Sequence, residues 1–232
     1  MNSDKSGQEE EQKRPAALRE RRFAEVREQM RGMAPEAIFD FIYRSKLWGS
    51  LESYSVLGLQ LDLTARLQVE LPYLIASLWV KTLVEIPCGD FSWLSSISLP
   101  IEHYIGADIV PSIIERSMEK FRLSHPYAKF QVLDLTKDTL SSGEAILCRD
   151  CLVHLPFALI KEALGNIRQS RIRYAILTTF TGSRVNTDIE VGDWRPLNFE
   201  KPPFCFPAPE VILMEGCMEE GGAYADKALG VW

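Results

Sequence analysis

Apolar residues along this chain change period several times, and the changes divide it into elements. Ile38, Phe39, Ile42 and Tyr43 fall on one face behind Pro35, a residue suited to a helix first turn, so residues 35–46 are predicted to form an amphipathic helix. Trp48-Gly49-Ser50 ends it. From Leu61 to Trp79 apolar residues again recur at helical spacing, with Pro72 expected to kink or split the helix. The period then shortens. Leu83-Val84-Glu85-Ile86 is a β-prone run closed by Pro87-Cys88-Gly89-Asp90, and Phe91 to Ser98 can form a helix behind it. The unit repeats, with strands predicted at 103–109, 128–133, 145–148 and 173–180 and helices at 111–123 and 156–167. Short apolar strands alternating with helices imply right-handed crossovers and a mostly parallel, doubly wound sheet covered on both faces. The expected class is α/β.

Both ends depart from this alternation. Residues 1–33 hold eight Lys/Arg and seven Asp/Glu with few large apolar residues, and read as a flexible or helical extension. Leu18, Phe23, Val26 and Met30 form a sparse helical stripe there, which either belongs to a solvated helix or docks on the body or on a second copy as a homodimer contact. Residues 34–232 are expected to form the main domain, with a helical cap at 34–80. Beyond Phe180, residues 182–209 are rich in Pro, Gly and aromatics, among them Trp194, Phe199, Phe204 and Phe206. A loop of that length in a compact domain is usually functional, and it is expected to shape a substrate pocket. Val211 to Glu215 and Ala228 to Trp232 read as two final strands, which can pair antiparallel.

Composition narrows the class. The 232 residues are 46% hydrophobic and 25% charged, which excludes a disordered or fibrous chain. Against 26 Lys+Arg stand 32 Asp+Glu, a net charge of −6, so no global positive field favours nucleic acid or an anionic membrane. The longest apolar stretch, Tyr73 to Val80 broken by Ser77, falls far short of the roughly 20 residues that span a bilayer. The first residues show no basic segment followed by an apolar one, and the five cysteines are an odd number, so a cytoplasmic protein is expected. Cys148 and Cys151 form a CxxC pair without a second pair, which reads as ordinary buried thiols and not as a metal site.

In an open α/β sheet the ligand sits at the carboxyl ends of the strands. The turn after the first strand, Glu85 to Asp90, has one glycine, Gly89, where the backbone can approach a ligand, and two acids that suit an amine-bearing one. It lacks the GxGxxG of a dinucleotide site, and its acids would repel pyrophosphate. Asp108 closes the second strand 19 residues after Gly89, near the spacing at which an acid reaches ribose hydroxyls. Asp134 follows the third strand, where it either accepts from an adenine amino group or caps a turn. Adenine, ribose and a cationic amino acid without phosphate describe S-adenosylmethionine (SAM).

The segments VEIPCGDFSWL (84–94), YIGADIVPSII (104–114), CRDCLVHL (148–155), NTDIEVGDWRPLNFEKPPF (186–204) and DKALGVW (226–232) closely resemble class I SAM-dependent methyltransferases over about residues 38–232. They look like a bacterial small-molecule family that tailors sugars, capsules and natural products. The resemblance implies a seven-stranded sheet of order 3-2-1-4-5-7-6. It also implies that Glu85, Pro87, Cys88, Gly89 and Asp90 face the methionine part of the cofactor, Asp108 and Ile109 the ribose, and Asp134 and Leu135 the adenine. Arg149 and Trp48 are placed at the cofactor as well. The family often reads WGSxESxSGxGSxLxxT where this chain has WGSLESYSVLGLQLDLT from Trp48 to Thr64, with Val56 for a glycine and Leu59 for a serine. That segment is expected to cover the cofactor or the substrate.

Methyl transfer is an in-line displacement, so alignment and desolvation dominate, and a base is needed only for a poorly acidic acceptor. His154, four residues after Asp150, is the candidate base, with Asp150 orienting it or binding substrate; the other reading makes His154 a packing residue of its turn. Arg149 and Arg195 can contact an anionic acceptor or pair with a nearby acid such as Asp193. Trp194 and Asn186 are further candidates for the acceptor pocket. The expected function is transfer of a methyl group from SAM to a hydroxyl or phosphoryl oxygen of a small molecule. The rival expectation is a methyltransferase-like binding protein without activity.

Overall fold

The computed structural model describes residues 18–47, 57–182 and 185–232. Its helices are α1 (Leu18–Val26), α2 (Pro35–Ser45), α3 (Leu57–Ser77), α4 (Ser92–Ser95), α5 (Pro111–Phe121), α6 (Phe157–Ser170) and α7 (Glu219–Gly222). Seven strands, β1 (Thr82–Glu85), β2 (His103–Asp108), β3 (Ala128–Val132), β4 (Ala145–Cys148), β5 (Tyr174–Phe180), β6 (Val211–Met214) and β7 (Lys227–Val231), form one sheet. Its order is β3-β2-β1-β4-β5-β7-β6. The first five strands run parallel, and β7 lies antiparallel between β5 and β6. Fold class and strand order match the expectation.

Neighbouring strand residues point to opposite faces, so two apolar cores form from one pleat. Leu83, Leu147, Ile176 and Leu229 pack with Leu67, Leu71 and Ile75 of α3. Val84, Ile146 and Leu177 pack on the other face with Ile160 and Ala163 of α6. Both faces are therefore dry, and the polar chemistry is confined to the strand ends.

Two elements differ from expectation, and a third takes one of the two forms expected of it. α3 runs through Pro72 without a break, because Leu67, Leu71, Leu74 and Ile75 bury one face across the proline and offset its missing N–H. The helix predicted over 91–98 lasts one turn. The hydroxyls of Ser95 and Ser96 donate to the carbonyls of Ser92 and Trp93, at 2.9 and 2.6 Å, and such side-chain competition disfavours a longer helix. The N-terminal stripe is not wholly solvated: Phe23 and Met30 are buried with Ile38, Ile42 and Leu47, against Val26 and Val191. Gly192 permits this packing. A Cβ there would come within 2.6 Å of Ile42 and 2.9 Å of Ile38, at a φ of +87° that also favours glycine.

Among the described residues no helix is long and apolar enough to cross a membrane.

Candidate active site

The turns after β1 and β2 are tied together by Asp108. Its Oδ2 accepts from the Gly89 N–H at 3.2 Å and its Oδ1 from the Val110 N–H at 3.0 Å. Cys88 N–H donates to the Ala107 carbonyl at 2.8 Å and completes the link. Gly89 has a φ of +53°, and among the described residues nothing lies within 4 Å of the position a Cβ would take, so this stretch of backbone is uncovered by them. Burial lifts the Asp108 carboxyl to about 6, opposed by the N–H groups of Val110, Gly89 and Ile109. Half-buried Ile109 follows it. Cys88 is buried, and burial pushes its thiol well above the usual range, so at this turn its backbone is the part a ligand can meet.

Two neighbouring acids are engaged by donors of the protein itself. Asp90 opens α4, accepting from the Ser92 N–H at 3.0 Å and hydroxyl at 2.8 Å. Glu85 is 1% exposed and accepts from the Tyr104 hydroxyl and the Trp93 side chain, beneath the turn. Burial raises its carboxyl to about 8 from an ordinary 4.5. Between those values the folded protein holds a proton that the unfolded chain has released, so stability falls as pH rises, by up to roughly 1.4 kcal/mol per pH unit. Glu85→Gln is expected to flatten that fall in thermal melts between pH 5 and pH 8. An unchanged slope would show that Glu85 is ionised in the fold.

At the end of β3 the turn reading of Asp134 describes its contacts. Its Oδ1 accepts from the Thr136 N–H and hydroxyl at 2.9 and 2.6 Å, and Lys137 lies 3.0 Å from Oδ2. Burial opposes ionisation, yet Thr136 and Lys137 hold the carboxyl below its usual range. Leu135 packs in the core on the α6 side, and its carbonyl accepts from Asn166 at 2.9 Å. An adenine here would meet backbone more than these side chains. Cys151 lies near both Asp108 and Asp134, and its hydrogen bond with Cys148, together with burial, raises its thiol well above the usual range. The sequence reading had not placed Cys151 at these strand ends. Among the described residues no group of three or more His, Cys, Asp or Glu could hold a metal ion.

Beyond β4 lies a cluster of charges that sequence reasoning half missed. Arg149 Nη2 is 2.7 Å from Glu215 Oε2, and Arg149 Nη1 is 3.4 Å from Asp150 Oδ2. Lys227 Nζ is 2.7 Å from the same Asp150 oxygen and 3.3 Å from Glu215 Oε2. The antiparallel pairing of β6 and β7 places Glu215 beside Lys227, with the Glu215 N–H donating to the Lys227 carbonyl at 2.9 Å. Arg149 also lies over the Trp93 ring. Its guanidinium is thus engaged by protein carboxylates, the pairing with a nearby acid that was one of the two readings of this residue. Burial alone would lower the Arg149 pKa, but Glu215 and Asp150 raise it above the ordinary value.

Asp150 adopts a φ of +53°, and its N–H donates to Thr178 Oγ1 at 2.9 Å. Its carboxylate is engaged by Lys227, whereas the orienting partner of His154 Nδ1 is the Asp193 carbonyl, at 2.8 Å. The expected assistance of His154 by Asp150 is therefore replaced, at Nδ1, by a backbone acceptor.

The 182–209 loop is anchored from within. Asn186 Nδ2 donates to the carbonyls of Asn198 and Pro202 at 2.8 and 2.9 Å, and its Oδ1 accepts from the Asn198 N–H. Arg195, 3% exposed, donates to the carbonyls of Thr187, Leu152 and Leu155 and covers the Phe157 ring. Burial lowers its pKa to about 10. Trp194 is buried against Phe180 and Tyr224. These three candidates for substrate contact are thus engaged in holding the loop to the body, because loop carbonyls without strand partners need donors. Trp48, with the rest of 48–56, lies outside the described residues, as do the side chains of 57–64, Leu59 among them.

α2 touches α5 and the 182–209 loop. Arg116 of α5 donates to the Tyr43 hydroxyl at 2.8 Å on one side, while Ile38 and Ile42 meet Gly192 on the other. Phe39 packs against the core on the α6 side.

No protein-family model matches the chain, and no curated protein matches it in sequence. Solved structures do. The methyltransferase domain of bacterial CtHen1-C aligns with a TM-score of 0.54 at 16% identity, covering 73% of this chain and 97% of that one. The structure of the DhpI complex with S-adenosylhomocysteine (SAH) aligns with a TM-score of 0.52 at 15% identity, covering 74% and 83%. The chain has the class I methyltransferase fold, a Rossmann-like sheet with a terminal antiparallel strand pair.

Proposed function

We propose that the chain binds SAM at the carboxyl ends of β1, β2 and β3 and transfers its methyl group to a small-molecule acceptor, with a hydroxyl or phosphoryl oxygen as the preferred nucleophile. The observation that carries this reading is the open backbone at Gly89 bonded to a carboxylate 19 residues further on. The arrangement suits a ligand whose ribose hydroxyls donate to Asp108 and whose amino-acid part lies along Pro87, Cys88 and Gly89. The fold shared with the SAH complex of DhpI supports it. SAM, when bound, supplies a methyl group on a sulfonium centre. The protein's own contribution is alignment, exclusion of water, and acceptance of a proton where the acceptor is a hydroxyl. His154, with Nδ1 fixed by the Asp193 carbonyl, is the proposed base, and residues 182–209 form the acceptor side.

Calorimetric titration tests the reading. Asp108→Ala is expected to weaken both SAM and SAH by about ten- to a hundredfold, the loss of a charged hydrogen bond worth roughly 1.5–3 kcal/mol. Because the acceptor form is the carboxylate, affinity should also fall as pH drops through about 6, where Asp108 takes up its proton. No binding of SAM by the unsubstituted protein would overturn the proposal. Binding with no transfer to any acceptor would favour a methyltransferase-like binding protein.

A further inference from the structure

We infer that the closed ring of alternating charges Arg149–Glu215–Lys227–Asp150 makes Asp150 the acceptor-binding group, and that the acceptor is an uncharged or cationic molecule presenting a hydroxyl. The inference rests on the methyltransferase reading and narrows it, setting aside an anionic phosphoryl acceptor. Side-chain exposure rises around the ring from Glu215 at 1% through Lys227 at 8% and Arg149 at 17% to Asp150 at 26%. The Asp150 carboxylate is the most exposed charge of the four. Both cations already face two carboxylates each, at 2.7–3.4 Å, so a phosphate would have to displace a protein acid to reach them. Arg195, the other buried cation at this end, is engaged by three carbonyls.

The ring is also incompletely satisfied. Among the described residues Glu215 Oε1, a buried acceptor, has no donor, and Arg149 Nε, a buried donor, has no acceptor. A hydroxyl both donates and accepts, and can serve this pair directly or through one bridging water, whereas an anion would repel the unfilled oxygen. Asp150 is held ready. Its backbone is fixed by Thr178, and Lys227 and Arg149 share one carboxylate oxygen.

The test uses the full chain and SAM carrying a labelled methyl group. After calorimetry establishes SAM binding, the protein is incubated with a pooled extract of small metabolites, and labelled products are sorted on anion- and cation-exchange resins. The labelled product is expected to escape the anion exchanger at pH 7. With that acceptor, Asp150→Asn, a residue that tolerates positive φ, should raise KM about ten- to a hundredfold while the SAM Kd stays unchanged. Lys227→Met should raise KM less, and Lys227→Arg should restore it; thermal melts check that each variant folds. A product held by the anion exchanger, SAM binding without any labelled product, or an unchanged KM in Asp150→Asn overturns the inference. Failure of the unsubstituted protein to bind SAM would instead remove the methyltransferase reading on which it rests.

Discussion

His154→Ala is expected to lower kcat on a hydroxyl acceptor by about 10²–10⁴ while leaving SAM affinity unchanged, because a base acts in the transition state and not in cofactor binding. The hydrogen bond from Nδ1 to the Asp193 carbonyl fixes the tautomer in which Nε2 carries the lone pair, the form a general base requires. The imidazole is 4% exposed, so truncation to alanine also leaves a cavity and costs stability. His154→Asn separates the two effects. Its amide can still donate to the Asp193 carbonyl but cannot take a proton. Full turnover by a folded His154→Asn protein would make the residue structural.

Arg149→Ala is expected to cost about 3–5 kcal/mol of folding stability, because it leaves Glu215 buried with only the longer of its two cation contacts. For a chain of this size that is a fall in Tm on the order of 10 °C, read by circular dichroism. Replacing the pair together, as Arg149→Met with Glu215→Leu, should recover most of the loss, since two apolar groups of similar volume need no compensating charge. If the double variant were no more stable than Arg149→Ala, the effect would lie in packing and not in an orphaned carboxylate.

The strands were legible because each is a short apolar run between turn residues, and burial on both faces leaves few alternatives for such a run. Asp108 was legible for a related reason: its spacing from Gly89 follows from the length of one β-α-β step. Glu215 and Lys227 were not. They meet only through the register of an antiparallel pair, in which Met214 lies opposite Ala228, and nothing in the order of residues announces that register. The carbonyl partners of Arg195 and Asn186 were not legible for another reason. A polar residue in a long loop looks the same in sequence whether its partner is a substrate or a carbonyl of the loop itself. The bond between Glu85 and Tyr104 was not legible either, since it depends on the register of β1 against β2.

The position of β7 sets the order in which the site comes into being. β6 pairs with β7 alone, so it has no place in the sheet until β7 has entered beside β5. Arg149 and Asp150 therefore wait for partners 66 and 77 residues further along the chain. Contacts of such separation form late, after the cost of closing long loops has been met. During synthesis the half of the sheet that carries Gly89 and Asp108 can assemble first, while β5 presents an open apolar edge. The proposed acceptor site is then completed in one step, with the docking of the final hairpin.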